Sequence, residues 1–279
     1  MWQIIKIELF KIFKKPRTYI AFGAIAAIIF LVQVSLYADG EAYLELMMHP
    51  LNNAFNIEGK MLNGYFVFFL ILQTLLVHVP LLISLVAGDM IAGEANMGTL
   101  RLLVSKPISR TKLLASKFSA ASIYTFLLLT FMALFGLFGS MLIFGTSDLM
   151  IFKSDMLILF ERNDVLWRFF ATYGFAALSM LTVTSLAFLF SVLADNSIGP
   201  IIAAMSVIIV FTILTTMDIP FFNAIKPYLF TNHMLNWKGF FDRPVNYSEV
   251  LKSAVILLAH CVFFVSLAIY IFRKKDILS

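Results

Sequence analysis

Six stretches of this chain, 18–38, 65–87, 118–147, 169–194, 196–217 and 253–272, contain no Asp, Glu, Lys or Arg. Crossing the hydrocarbon core of a bilayer takes about 20 predominantly apolar residues, and all six stretches are long enough. Backbone groups in lipid must be satisfied within the spanning structure, so each is read as a helix. The wider composition agrees. The chain is 61% hydrophobic and 13% charged, against roughly half and a quarter in soluble domains. The expectation is an all-α integral membrane protein, one domain over 1–279, with six transmembrane helices at about 18–38, 64–87, 118–145, 169–193, 197–217 and 252–272.

An even number of spans puts both termini on one side, and the distribution of cations says which. The N-terminal arm (Lys6, Lys11, Lys14, Lys15, Arg17), the loop between the second and third spans (Arg101, Lys106, Arg110, Lys112, Lys117) and Arg273, Lys274 and Lys275 hold 13 of the 21 Lys and Arg residues. In contrast, 11 of the 16 acidic residues lie in the other loops, from Asp39 to Glu249. Both termini, the basic loop and the turn 194–197 are expected in the cytoplasm, and the protein in the inner (cytoplasmic) membrane. The net charge of +5 follows from this topology and requires no nucleic-acid partner.

Cys261 is the single cysteine, so no intrachain disulfide can form. SLYADG at 35–40 imitates a cleavage site, but the apolar run before it reaches about 20 residues, where a signal peptide carries about 7–15. A retained first span is expected. Residues 2–14 place Ile4, Ile5, Leu9 and Phe13 on one helical face, with Lys6, Glu8 and Lys14 largely elsewhere. Two readings stand: an amphipathic helix in the membrane interface, or a lead-in packed on its own protein. Pro16 breaks it before the first span.

Among the outer segments, 39–63 is a moderately acidic linker and 148–167 contains the apolar run MLILF. The stretch 218–250 is rich in aromatics and proline. It reads either as short helices dipping into the outer leaflet, with Trp237 and Tyr228 at headgroup level, or as a plain external loop. Small residues recur at four-residue spacing in Gly23/Ala27, Gly136/Ser140 and Gly199/Ala203, which allows close helix approach in lipid. In the fourth span Thr172, Ser179, Thr182 and Ser185 form a weakly polar stripe that can line a pathway or contact a neighbouring helix.

Membrane enzymes normally carry ionisable groups at membrane depth. Here the spans offer His78 and His260, each without an acidic or Cys neighbour in sequence. The chain has no H-E-x-x-H zinc motif, no G-x-S-x-G elbow and no G-x-x-x-x-G-K-[ST] phosphate loop. No catalytic, cofactor-binding or metal-binding residues are expected. What remains is a permease driven from outside, or a membrane protein that transports nothing.

The loop 88–117 departs from this pattern. It reads GEANMGTLRLLVSKPISRTKLLASK from Gly93 to Lys117. Thr99 after Gly98 reads as an N-cap for a short helix carrying Leu100, Leu102 and Leu103. Pro107 stops that helix by pushing Lys106 from the α region, and Ser109 caps a second one that runs into the third span. Leucines exposed at a membrane surface call for a partner that covers them, and the cations can pair with that partner or with anionic lipid.

On these residues the chain resembles the permeases of type-two ABC (ATP-binding cassette) exporters. The resemblance rests on Glu94, then Gly98, Thr99, Leu100, Arg101, Leu102 and Leu103, then Pro107, Ile108, Ser109 and Arg110, and Lys117, with FRKKDI at 272–277 in support, and it covers nearly the whole length. It implies that 94–106 is a coupling helix docking in a groove of a separate cytoplasmic ATPase, present in two copies. Leu100, Leu102 and Leu103 would be apolar anchors, Arg101 a polar contact, and Glu94 a brace between helix and span. It further implies a second permease copy, or a related permease, around a shared translocation path. ATP and Mg would sit on the partner, with no cofactor in this chain, and transport would run as export. The competing reading is an immunity or assembly protein that keeps the fold and moves nothing.

Overall fold

Charge marks where a helix leaves lipid, and a helix can continue beyond that point. The computed structural model, which describes residues 1–48, 61–105, 107–153, 156–217 and 219–275, shows this at several helix ends. The chain forms α1 (Trp2–Lys14), α2 (Pro16–Met48), α3 (Gly64–Ala87), α4 (Ala92–Asn96), α5 (Thr99–Val104) and α6 (Arg110–Ala133). A π-helical turn, Leu134–Phe138, leads to α7 (Gly139–Phe144), followed by β1 (Leu149–Lys153) and β2 (Met156–Phe160). Then come α8 (Arg162–Leu193), α9 (Ile198–Thr216), α10 (Pro220–Asn223), α11 (Phe230–Met234) and α12 (Tyr247–Lys274), with 3-10 turns at Lys226–Tyr228 and Leu235–Phe241.

Six of these helical stretches are long and apolar enough to cross a membrane, and the protein is a multi-pass membrane protein. Four are longer than the charge-free runs. α2 continues past residue 38 through a kink at Asp39 (φ −127°, ψ 21°). α6 begins at Arg110, α8 at Arg162 and α12 at Tyr247, each adding charged turns outside the apolar run. Several expected features lie outside the described residues: Lys106 of the basic loop, 49–60 of the acidic linker, Asp155, Asp218, and Asp276 and Ile277 of the C-terminal motif.

The all-α expectation needs one correction. The run MLILF is β2, paired antiparallel with β1 in the register Leu149↔Phe160. On β2, Ile158 and Phe160 are buried while Leu159 between them is exposed, the alternation that a strand's period of two produces, whereas Leu149, Met150 and Ile151 of β1 are all buried.

α8 is the hub, packed against α3, α6, α9 and α12. Its hydroxyls work at these seams. The Thr182 hydroxyl donates to the Leu257 carbonyl of α12 (3.1 Å), and Thr184 shares a hydrogen bond with Thr125 of α6 (2.9 Å). The bundle has two chemically different ends. The apical end carries the hairpin and residues 219–246; the basal end carries α1, α4, α5 and the C-terminus of α12.

The apical end is closed by aromatic rings. Phe69, Phe169, Trp237 and Phe241 meet with centroids 4.9–6.1 Å apart where they contact, Phe68 joining through Phe169. Trp237, expected at headgroup level, is only 2% exposed, whereas Tyr228 stays outside. Its ring is worth more against the other aromatics than at an interface. Arg168 of α8 fixes the segment by donating to the Phe240 carbonyl while pairing with Asp164 (2.8 Å). Its guanidinium lies 4.3 Å from the Phe160 ring centroid.

Small residues differ in use. A Cβ on Gly64 would lie 2.6 Å from the Met141 Cα of α7, and one on Gly136 would lie 2.7 Å from the Phe68 ring. Gly23 has nothing within 4 Å. Gly64→Val therefore forces α3 and α7 apart and should lower the melting temperature of the purified protein by several degrees, with Gly23→Val unchanged. Equal melting of the two variants would contradict this packing.

Candidate functional site

The basal end is organised by charge. Lys117 of α6 is fully buried, and its ammonium contacts Glu8 Oε2 of α1 (2.8 Å), Glu94 Oε2 of α4 (2.7 Å) and the Met90 carbonyl (3.3 Å). The ammonium donates hydrogen bonds to Glu8 Oε2 and the Met90 carbonyl, and its contact with Glu94 Oε2 is an ion pair without hydrogen-bond geometry. The other oxygens of the two carboxylates, Glu8 Oε1 and Glu94 Oε1, each meet Lys11 at 2.8 Å. Two carboxylates and two ammonium groups thus form a closed, neutral ring joining α1, α4 and α6. Beside it, the buried Asp89 accepts a hydrogen bond from Lys15 (2.6 Å) and is ion-paired with Arg17 (2.8 Å), tying the start of α2 to the end of α3.

Burial alone would raise the pKa of Glu8. The charge of Lys117 and the hydrogen bonds from Lys11 and Lys117 outweigh it and hold the carboxyl below its ordinary 4.5. For Lys11, burial works downward, but hydrogen bonds from its ammonium to Glu8 and Glu94 prevail and raise its pKa above 10.5.

Backbone groups are anchored too. Ser191 Oγ of α8 accepts the N–H groups of Ile91 (2.9 Å) and Ala92 (3.0 Å), satisfying donors at the start of α4 that have no helical partner. Arg110 donates to the carbonyls of Phe272, Arg273 and Lys275 at the end of α12 (3.2, 3.2 and 2.7 Å). Lys275 in turn reaches Asp195 (2.8 Å) in the turn between α8 and α9.

The basic loop is therefore two short helices. Met97 and Gly98 separate them, and Gly98 takes the left-handed conformation (φ 69°) that glycine adopts without a steric penalty. Gly98 is the N-cap of α5, and Thr99, expected in that place, is its first helical residue. The Thr99 hydroxyl donates back to the Glu94 carbonyl (3.2 Å). Ser109 caps α6 as expected by accepting from the Lys112 N–H (3.3 Å).

The three leucines split. Leu100 is 4% exposed and belongs to the chain's own core, so it is not free to anchor a partner. Leu102 is 68% exposed, next to exposed Arg101 and near Met97 at 60%. Leu103 is half-buried, and Pro107 is exposed. Glu94 is buried, and its brace runs to Lys117 of α6 and Lys11 of α1.

Sequence reasoning missed Glu8, which was placed away from the packed face. Ile5, Glu8 and Ile12 are the buried residues of α1, and Trp2, Ile7 and Phe10 point outward. One signal was available: Glu8 is the only acid in a cationic arm, three residues before Lys11, a spacing that places the two side chains together on a helix. Ser191 carried no such signal.

Among the polar stripe, Ser179, Thr182 and Ser185 bond to carbonyls of α8 or α12. Thr172 is buried and apart from them. His78 and His260 bond to carbonyls one turn back (2.7 and 2.8 Å). Among the described residues no group of three or more His, Cys, Asp or Glu side chains could hold a metal.

A family model described as "Protein of unknown function (DUF2705)" matches residues 19–278. The chain is also similar to "Uncharacterized protein YhcI" of Bacillus subtilis (strain 168), with 27% identity over 199 residues. That alignment covers 69% of this chain and 63% of the relative, so the chain spans under two thirds of its length.

Removing one partner of a buried ion pair leaves the other charge uncompensated and typically costs about 3–5 kcal/mol. Lys117→Met should fall in that range, since it leaves the two buried carboxylates of Glu8 and Glu94 with Lys11 as their one shared cation in the ring. The pH dependence has a definite sign. Glu8 has a depressed pKa, so its stabilisation is complete above the ordinary 4.5 and is lost as pH falls through the depressed value. Lys11 has a raised pKa, so its share is complete below 10.5 and is lost as pH rises through the raised value. Melting of the purified protein across acid pH should show the loss starting at higher pH in Lys117→Met than in the parent. Coincident acid profiles would show that the ring does not hold Glu8 ionised.

Proposed function

For this chain, which belongs to the DUF2705 family, we propose the role of transmembrane permease subunit in an ATP-driven exporter. α5 is the element that docks on a separate cytoplasmic ATPase. The supporting observation is the contrast within one short segment: Glu94 and Leu100 are clamped into the chain's own basal core, while Met97, Arg101 and Leu102 project from it. A six-residue helix cannot hold its own shape in water, yet this one is mounted on a closed ionic ring. That is how a surface that transmits force to the spans is built. Leu102 and Met97 supply apolar anchors for a groove, and Arg101 supplies a charge-assisted contact at its edge.

In this reading, α1, α5 and both chain ends face the cytoplasm of a cell whose inner membrane holds the protein, as the excess of basal cations favours. Two ATPase copies, carrying ATP and Mg, engage two permease copies or this chain and a related one. ATP shifts the permease between inward- and outward-open states by binding one arrangement of the two α5 helices better than the other. Export, as opposed to uptake, rests on the family resemblance. This chain supplies no catalytic residue and holds no cofactor of its own.

The test begins with a search beside this gene for one encoding a phosphate-loop ATPase, and uses that protein. The two proteins should co-purify from detergent and hydrolyse ATP at a rate that depends on the complex. Leu102→Asp, an exposed position whose loss leaves the core intact, should weaken association at least about tenfold, the effect of placing a charge at a central apolar anchor. Undiminished association would remove the docking assignment. Stable association with hydrolysis that never responds to any exported compound would favour the assembly-protein reading.

A further inference from the structure

Between α3, the π-helical turn and α8 lies a cavity of about 230 Å3. Its wall is formed mainly by Phe68, Leu72, Leu137, Phe169 and Ala176, and no charged side chain among the described residues lines it. Leu134 and Phe170 at its edge are exposed on the lipid-facing surface of the bundle. There Thr130 and Tyr173 share a hydrogen bond of 2.8 Å. The adjoining turn is a π-helix, a form that is rare and found often at functional sites.

One wall residue does not fit the apolar surroundings. Thr172 is 1% exposed, and its hydroxyl has no hydrogen-bond partner among the described residues. Other hydroxyls of the same helix return their proton to the carbonyl one turn back: Ser179 to Phe175 (3.1 Å) and Thr184 to Met180 (2.8 Å). Thr172 does not, so its proton is free for an acceptor in the cavity. A buried hydroxyl left without a partner is costly, and natural structures keep few of them.

We propose that this cavity is a binding site for a neutral amphiphile that enters from the surrounding lipid. The ligand combines a short apolar chain or ring with a carbonyl, ether or hydroxyl oxygen that accepts the Thr172 proton. An apolar cavity of about 150 Å3 holds a benzene ring, so this one takes roughly eight to nine carbon atoms by proportion. The wall's lack of charge excludes an ionic headgroup from the interior. A small oxygen function passes the Thr130–Tyr173 pair at the edge and finds its partner at Thr172. The inference does not rest on the transporter reading, and a failure of ATPase docking leaves it intact.

The test is photolabelling of the full-length protein in lipid nanodiscs with 3-azioctanol, a neutral eight-carbon alcohol, with adducts mapped by mass spectrometry. Adducts should concentrate on the cavity wall, and 1-octanol should compete far better than octane. Thr172→Val keeps the side-chain shape and should raise the half-saturating concentration about fivefold, the loss expected for one hydrogen bond. Ala176→Phe fills the space and should abolish the cavity adducts. Should that variant fail to fold, Thr172→Val and the octanol–octane comparison decide the matter. Adducts spread over the lipid-facing helices, equal competition by octane, or an unchanged Thr172→Val response would each overturn the proposal. The cavity would then be a void filled by bilayer chains.

Discussion

An ammonium group with no exposure to water governs the basal half of this protein. Lys117 is placed where α1, α4 and α6 converge, hydrogen-bonded to Glu8 of α1 and the Met90 carbonyl and ion-paired with Glu94 of α4. The Coulomb attraction within such a cluster offsets the cost of taking charges out of water only when every lone pair and proton is used. The closed ring with Glu8, Glu94 and Lys11 comes close to that condition: three of its four carboxylate oxygens accept a hydrogen bond, and Glu94 Oε2 is held by its ion pair with Lys117 alone. It also means that none of the three helices can shift alone without exposing or stranding a charge. Ser191 extends the constraint to α8, and Arg110 and Lys275 extend it to α12 and the turn before α9.

The apical end is held differently. Rings from α3, α8 and the Leu235–Phe241 turn pack edge to face or tilted, with Arg168 as a polar tie among them. Aromatic packing tolerates small adjustments, because dispersion contacts are many and individually weak. A neutral ionic ring is closer to all-or-none. A displacement at α5 is therefore carried as a unit through α1 and α6, while the apical end has room to adapt. This mechanical asymmetry suits a device driven from the basal side, and it agrees with the proposed exporter role.

The spans were legible because hydrocarbon imposes a length and forbids charge, and both rules can be read from single residues. Helix ends were less so: α8 starts at Arg162, seven residues before the apolar run, since Asp164 and Arg168 pair within the helix instead of ending it. The hairpin was hidden because five apolar residues such as MLILF fit a strand or a buried helix equally well. In the basal segment, the cap at Ser109 followed from local chemistry, whereas the expected helix 94–106 is split at Gly98, which takes the N-cap place expected of Thr99. The burial of Leu100 and Glu8 did not. Both depend on which helix lies opposite, and α1 meets α6 more than a hundred residues away in the chain. Trp237 was misplaced for the same reason: an aromatic belt residue and a core residue look alike until a neighbour such as Phe69 is known.

The central claim is that α5 presents its exposed residues to a cytoplasmic ATPase. The most direct measurement places a photoreactive p-benzoylphenylalanine at position 102 and, as a comparison, at the still more exposed position 142, in cells that also express a phosphate-loop ATPase encoded beside the gene. The account predicts an ATPase adduct from position 102 whose yield changes with bound nucleotide, and none from position 142. The absence of an adduct at 102, with the ATPase present and the permease in the membrane, would contradict it.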